Sequence, residues 1–148
     1  MRISPLSLSL SAALLLAAAG CDRDEQLDSR EIDPPVFKGA DVVVRPIGEA
    51  GVVELRVGQV LAVQLKSTFD WRVEGSPVLV RQEGTLWAPA DRAGRDRGAT
   101  GGPNWQVFGY RAVQPGQETL HFVEARGWEP DTITGRYDLT VRIQPASD

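Results

Sequence analysis

The side chains with the most chemistry to offer are scarce in this chain. It has one cysteine, Cys21, and one histidine, His121, among 20 acidic and 16 basic residues. A thiol or hydroxyl nucleophile needs a base held beside it. His121 stands between Leu120 and Phe122, where strand alternation turns it to the opposite, solvent side. Structural zinc sites draw four ligands from Cys and His, more than this chain has. Carboxylates are abundant, yet no pattern pairs two of them for acid–base work. We therefore expect no enzyme, no cofactor and no bound metal.

Cys21 offers a different chemistry, because it closes the run MRISPLSLSLSAALLLAAAGC. A positive charge at Arg2, a short apolar core through Leu14-Leu15-Leu16 and small residues up to Gly20 form an export signal. The apolar run is shorter than the roughly 20 residues a membrane-spanning helix needs. Ala18-Ala19-Gly20-Cys21 resembles the bacterial lipobox, with Ala18 where leucine is usual. That resemblance implies lipidation of Cys21 and removal of residues 1–20. It also implies a lipid anchor in a membrane of the bacterial cell envelope, each buried methylene contributing about 0.8 kcal/mol. The alternative is an ordinary secretory signal with a cysteine there by chance. Cleavage leaves 128 residues, with 15 basic against 20 acidic side chains and a net charge of −5. That length suffices for one domain with a core, and we expect a monomer. Its acidity argues against a nucleic-acid partner, which calls for a basic patch.

Within residues 21–37, the stretch from Asp22 to the Pro34-Pro35 pair is charged and nearly free of apolar side chains. The composition predicts a flexible acidic tether, with the domain proper spanning 38–148. From Lys38 onward the pattern has period two. Val53, Leu55 and Val57 alternate with Glu54 and Arg56, and Leu61, Val63 and Leu65 follow after Gly58. Phe108, Tyr110 and Ala112 share a face, as do Leu120 and Phe122. Tyr137, Leu139, Val141 and Ile143 close the series. Short alternating runs punctuated by Gly58, Gly75-Ser76-Pro77 and Pro115-Gly116 predict an all-β fold, an immunoglobulin-like antiparallel β-sandwich of about seven strands. Its expected core includes Val63, Leu65, Trp71, Phe108, Leu120, Leu139 and Val141.

Two connections interrupt this economy, Gly84–Asn104 and Arg126–Thr134. A long structureless loop in a small domain is often functional. The first ends in Gly98-Ala99-Thr100-Gly101-Gly102-Pro103, whose glycines let another molecule approach the backbone closely. The same run also suits a flexible turn, and no helix follows it to bind phosphate. The second holds Arg126-Gly127-Trp128-Glu129-Pro130. Its Trp128 lies outside any alternating run, and exposed Trp and Arg are frequent binding hot spots. A tryptophan folded back over the sheet edge is the plainer alternative. Between two strands, Ser67-Thr68-Phe69-Asp70-Trp71 leaves Thr68 and Phe69 at a turn, free to project outward.

In this order on an all-β chain, the three segments resemble the chagasin family of cysteine-protease inhibitors. Phe69-Asp70-Trp71 fits the aromatic-x-Trp end of the family's first motif, although the Asn-Pro is missing and the loop is shorter. Thr100-Gly101-Gly102 resembles the end of its GxGG loop, with Ala99 in place of the first glycine. Arg126-Gly127-Trp128 resembles its Arg-Pro-Trp loop, with Gly127 in place of proline. The resemblance covers roughly residues 50–144. It implies an inhibitor that occludes the cleft of a papain-like cysteine protease. Thr68, Phe69, Thr100, Gly101, Gly102, Arg126 and Trp128 would form its binding edge, with Arg126 mainly holding its own loop. The competing reading is an immunoglobulin-like envelope lipoprotein that binds another protein through a sheet face.

Overall fold

A computed structural model describes residues 30–97 and 102–147. The described chain forms strands β1 (Val42–Val44), β2 (Ala50–Arg56), β3 (Val60–Ser67), β4 (Asp70–Glu74) and β5 (Val80–Pro89). Helix α1 (Arg92–Arg97) follows, then β6 (Asn104–Ala112), β7 (Gly116–Arg126) and β8 (Glu129–Gln144). They build two four-stranded sheets, ordered β1-β3-β6-β5 and β2-β8-β7-β4. The expected sandwich is thus present, with eight strands.

Its edges are less uniform than the expected antiparallel arrangement. β1 pairs with β3 in parallel and β2 pairs with β8 in parallel, while the other pairs are antiparallel. A short hairpin forces neighbours to be antiparallel, whereas a parallel pair needs a crossover. No hairpin links these two pairs: β2 lies between β1 and β3 in the chain, and β2 and β8 are separated by most of the domain.

The core fills the space between the sheets. Leu55, Leu61, Val63, Phe108, Tyr110, Leu120, Phe122, Leu139 and Val141 are all buried there. Of the seven core residues read from the alternation, six are buried. Trp71 is the exception: it is half-buried, packed against the cluster at one end. Its indole N–H finds no hydrogen-bond partner among the described residues. Strand β4 is an edge strand, so its inward side chains are roofed on one side only.

Strand β3 is buried on both faces for nearly its whole length. The segment 30–37, which the composition assigned to the tether, packs on the outer face of the same sheet. Ile32 donates its N–H to the carbonyl of Ala90 (2.8 Å), and the Trp105 indole N–H donates to the carbonyl of Ile32 (2.6 Å). Phe37 lies on the outer face of the first sheet over Gly109, where any added methyl would run into its ring. A strand glycine marking a close approach is the local signal for this packing. The Ile32 backbone and the Phe37 ring supply the attachments that the charged composition concealed.

The long expected loops shrink. Residues 84–89 belong to β5, after a bulge between Gln82 and Gly84. Arg111 grips the intervening Glu83 through Nε and Nη2, at 2.7 and 2.9 Å. That pairing, helped by Arg81, holds the Glu83 carboxyl down at about 2. The remaining connection, 90–103, begins with the six-residue α1. The second expected loop is a long hairpin: β7 runs to Arg126 and β8 starts at Glu129, leaving Gly127-Trp128 as a two-residue turn.

Candidate functional site

The strand register brings the three segments to one end of the sandwich. Ser67, the last residue of β3, pairs with Asn104, the first of β6. Gly102 therefore lies two residues beyond that pair, beside the start of the Thr68-Phe69 turn. Asp70, the first residue of β4, pairs with Ala125 of β7. The Gly127-Trp128 turn follows immediately.

The Thr68-Phe69 turn crosses from one sheet to the other in two residues. It is held by Ser67, whose buried hydroxyl accepts the N–H of Phe69 at 2.8 Å. Such side-chain-to-backbone bonds are what Ser offers at turns. Thr68 is exposed and Phe69 half-buried. The ring of Phe69 meets Trp128 edge to face, with centroids 6.1 Å apart and planes 77° apart. This is a favoured aromatic geometry.

Arg126 lies beneath this pair. Its guanidinium stands 5.5 Å from the Phe69 centroid, and Nη1 reaches Glu129 Oε2 at 3.2 Å across the hairpin turn. An exposed ion pair of this kind contributes roughly 0–1 kcal/mol, and a cation over an exposed ring about 0.5–1 kcal/mol. Both ties fix the turn that carries Trp128. Trp128 itself is 72 % exposed. Gly127 passes close to Asp70, since an added Cβ would sit 3.3 Å from its carboxylate.

Gly102 is the described end of the glycine run; Thr100 and Gly101 lie outside the described residues, as does Cys21. The backbone at Gly102 is tied by Asn104, whose side-chain amide donates to the Gly102 carbonyl at 3.0 Å. The next carbonyl, of Pro103, accepts the N–H of Ala90 at 2.9 Å. Gly102 is not among the positive-φ glycines, and an added Cβ would meet nothing within 4 Å. Neither packing nor backbone strain accounts for a glycine there.

The structure thus joins Phe69, Arg126 and Trp128 by contact, with Thr68 and Gly102 at the same end. Sequence reading passed over Trp87, which is 53 % exposed on β5 opposite Gln106, near this end. The Thr85-Leu86-Trp87 run was the available signal, hidden by assigning it to a loop. Among the described residues no group of three or more His, Cys, Asp or Glu side chains is placed to hold a metal ion. No helix there is long and apolar enough to cross a membrane.

The family model described as Chagasin family peptidase inhibitor I42 matches residues 54–141, or 88 of the 148 residues. Among solved structures, the cysteine protease inhibitor EhICP2 from Entamoeba histolytica is similar. It is 14 % identical, with a TM-score of 0.54, and the match covers 70 % of this chain and 96 % of that one. The solution structure of Amebosin gives a TM-score of 0.50 at 18 % identity, covering 70 % of this chain and 97 % of the other. At such identities the likeness speaks for the fold alone. A comparison with curated proteins finds no match.

Proposed function

We propose that this chain, which belongs to the chagasin family of peptidase inhibitors, inhibits papain-like cysteine proteases by laying its loop edge into the active-site cleft. One observation carries the reading: Phe69 and Trp128, from different connections, form a single aromatic edge in which Phe69 is half-buried and Trp128 stays largely open to solvent. That EhICP2, which shares the fold, is a cysteine protease inhibitor supports the same partner class.

Inhibition of this kind needs no covalent step. Trp128 supplies a flat apolar anchor, and Gly101 with Gly102 lets backbone groups lie against the cleft wall. Thr68 and Phe69 form the short central turn, while Arg126 keeps the hairpin in place. Ordering loops on binding costs entropy, and loops already fixed on a rigid sandwich avoid much of that cost. The bond from Phe69 to Ser67 and the Arg126–Glu129 pair serve that end.

The sheet-face alternative finds less support. The outer face of the first sheet carries the 30–37 segment. On the second sheet, outward positions hold polar pairs, including His121 with Asp138 (2.8 Å) and Thr119 with Thr140 (3.3 Å). Tethering through a lipidated Cys21 completes the proposal, placing the inhibitor at a bacterial membrane. Cys21→Ala should abolish acyl labelling and release the protein from membranes.

The deciding experiment is titration of residues 30–148 against a panel of papain-like proteases. Competitive inhibition that saturates at one inhibitor per enzyme is expected. No binding at micromolar concentration to any of them would overturn the inhibitor reading in favour of the protein-binding alternative.

A further inference from the structure

Three polar residues are buried among the described ones: Gln64, Ser67 and Gln106. Gln64 receives Arg45, and Ser67 closes the turn at Phe69. Gln106 acts across the sandwich. It shares the inner face of β6 with Phe108 and Tyr110, and its amide reaches from the first sheet into the second. Oε1 accepts the N–H of Trp71 at 2.8 Å, and Nε2 donates to the carbonyl of Trp71, also at 2.8 Å.

Trp71 belongs to β4, an edge strand with β7 as its neighbour on one side. In an antiparallel ladder the N–H and C=O of one residue point to the same side. Since both groups of Trp71 meet Gln106, both face away from β7, toward the free edge. The Gln106 amide therefore occupies the place of a missing neighbour strand, two residues after Phe69. The ladder on the hairpin side is irregular at this level, with register shifts between Glu124 and Ala125 and between Ala125 and Arg126. The clasp supplies a regular anchor where the ladder does not. A buried amide that let go would leave its own donor and acceptor unpaired, a costly state.

We propose that Gln106 is a positioning residue of the inhibitory edge: by clasping Trp71 it fixes the ring of Phe69 against Trp128. The inference rests on the inhibitor reading above. It assigns Gln106 no contact with the protease, only control over where the central turn sits.

Two variants separate this role from general stability. Gln106→Leu removes both bonds, while Gln106→Glu keeps an acceptor for the Trp71 N–H but sets a second, buried carboxylate oxygen against the Trp71 carbonyl. Inhibition should weaken about tenfold in Gln106→Leu, as expected for two lost hydrogen bonds, and at least as much in Gln106→Glu, where a buried carboxylate oxygen faces that carbonyl. In a Phe69→Ala background, Gln106→Leu should add less than about twofold, because no ring remains to be placed. An equal loss in both backgrounds would mean a general loosening and would overturn the proposal. A second readout needs no protease. Amide exchange at Trp71 should accelerate at least about tenfold in Gln106→Leu, with Phe122 and Leu139 still protected. Uniform acceleration, or none, would overturn the clasp. A wild-type domain that inhibits nothing refutes the inhibitor reading and the role built on it. The exchange result then still decides whether Gln106 holds Trp71.

Discussion

The molecule contains two aromatic clusters of similar geometry and opposite surroundings. In the core, Phe108, Tyr110, Phe122 and Tyr137 meet at centroid distances of 5.3–6.5 Å, each at most 4 % exposed. At the edge, Phe69 and Trp128 meet at 6.1 Å with one partner nearly in water. Ring contact alone cannot distinguish them, since such contacts add only about 0.5–1.5 kcal/mol beyond burial. The difference lies in the water removed. The core rings have already realised their burial energy, and it holds the fold together. Trp128 keeps most of its apolar surface available for a partner. The same kind of side chain stabilises at one place and recognises at the other.

The comparison breaks most visibly at Phe122, the fully buried ring that touches three others. Phe122→Ala should cost about 3–5 kcal/mol of stability, read from denaturant unfolding. Inhibition measured on the fraction still folded should be unchanged. At the edge the pattern reverses. Trp128→Ala should weaken protease binding by about 2 kcal/mol or more, the size of a central hot spot, with little movement in melting temperature. A large stability loss in Trp128→Ala would place that ring with the core group and remove the distinction.

Much of this division was legible in the chain. Alternation at Val53-Leu55 and Leu139-Val141 located the core because a half-buried strand writes its inner face with period two. The rule misread Thr85-Leu86-Trp87, where the strand lies at an edge and its residues are half-buried or exposed rather than cleanly alternating. It also misread Arg126–Thr134, since a two-residue hairpin turn containing Trp lacks the usual turn chemistry. The parallel pairings of β1 with β3 and of β2 with β8 left no local mark, being contacts between segments not joined by a hairpin. For the same reason residue patterning left Phe69 and Trp128 on separate loops; the family resemblance placed them on one edge, but it named no contact between them. The Asp70–Ala125 register is what sets the two turns side by side and makes that contact possible. The clasp of Gln106 on Trp71 was hidden too, because a polar residue inside an alternating run looks like a break in the pattern.

Gly102 sharpens the comparison with a smaller effect. Because a Cβ there would meet nothing within 4 Å and φ is not positive, Gly102→Ala should leave stability within about 0.5 kcal/mol of wild type. If the backbone lies against the cleft, the same methyl must be accommodated in a close-packed interface. A loss of about 1 kcal/mol in binding is then expected, the low end of overpacking costs. Unchanged inhibition would remove Gly102 from the contact surface and leave the aromatic edge to act without it.

The smallest effect belongs to Thr68, the exposed member of the central turn. Its neighbour Phe69 is fixed from both sides, by the Ser67 hydroxyl at its N–H and by Trp128 at its ring. No hydrogen bond from the Thr68 side chain was found among the described residues to match either of those ties. Thr68→Ala should therefore change stability by less than about 0.5 kcal/mol and inhibition by far less than Trp128→Ala does. Replacing the turn with a longer Asn-Pro-Thr-Thr-Gly segment is the converse experiment. It should tighten inhibition if reach into the cleft limits the short turn. It should weaken inhibition if the seating of Phe69 against Trp128 matters more, because the added residues displace the N–H that Ser67 holds. The sign of that change decides whether the central turn acts by length or by the aromatic pair it supports.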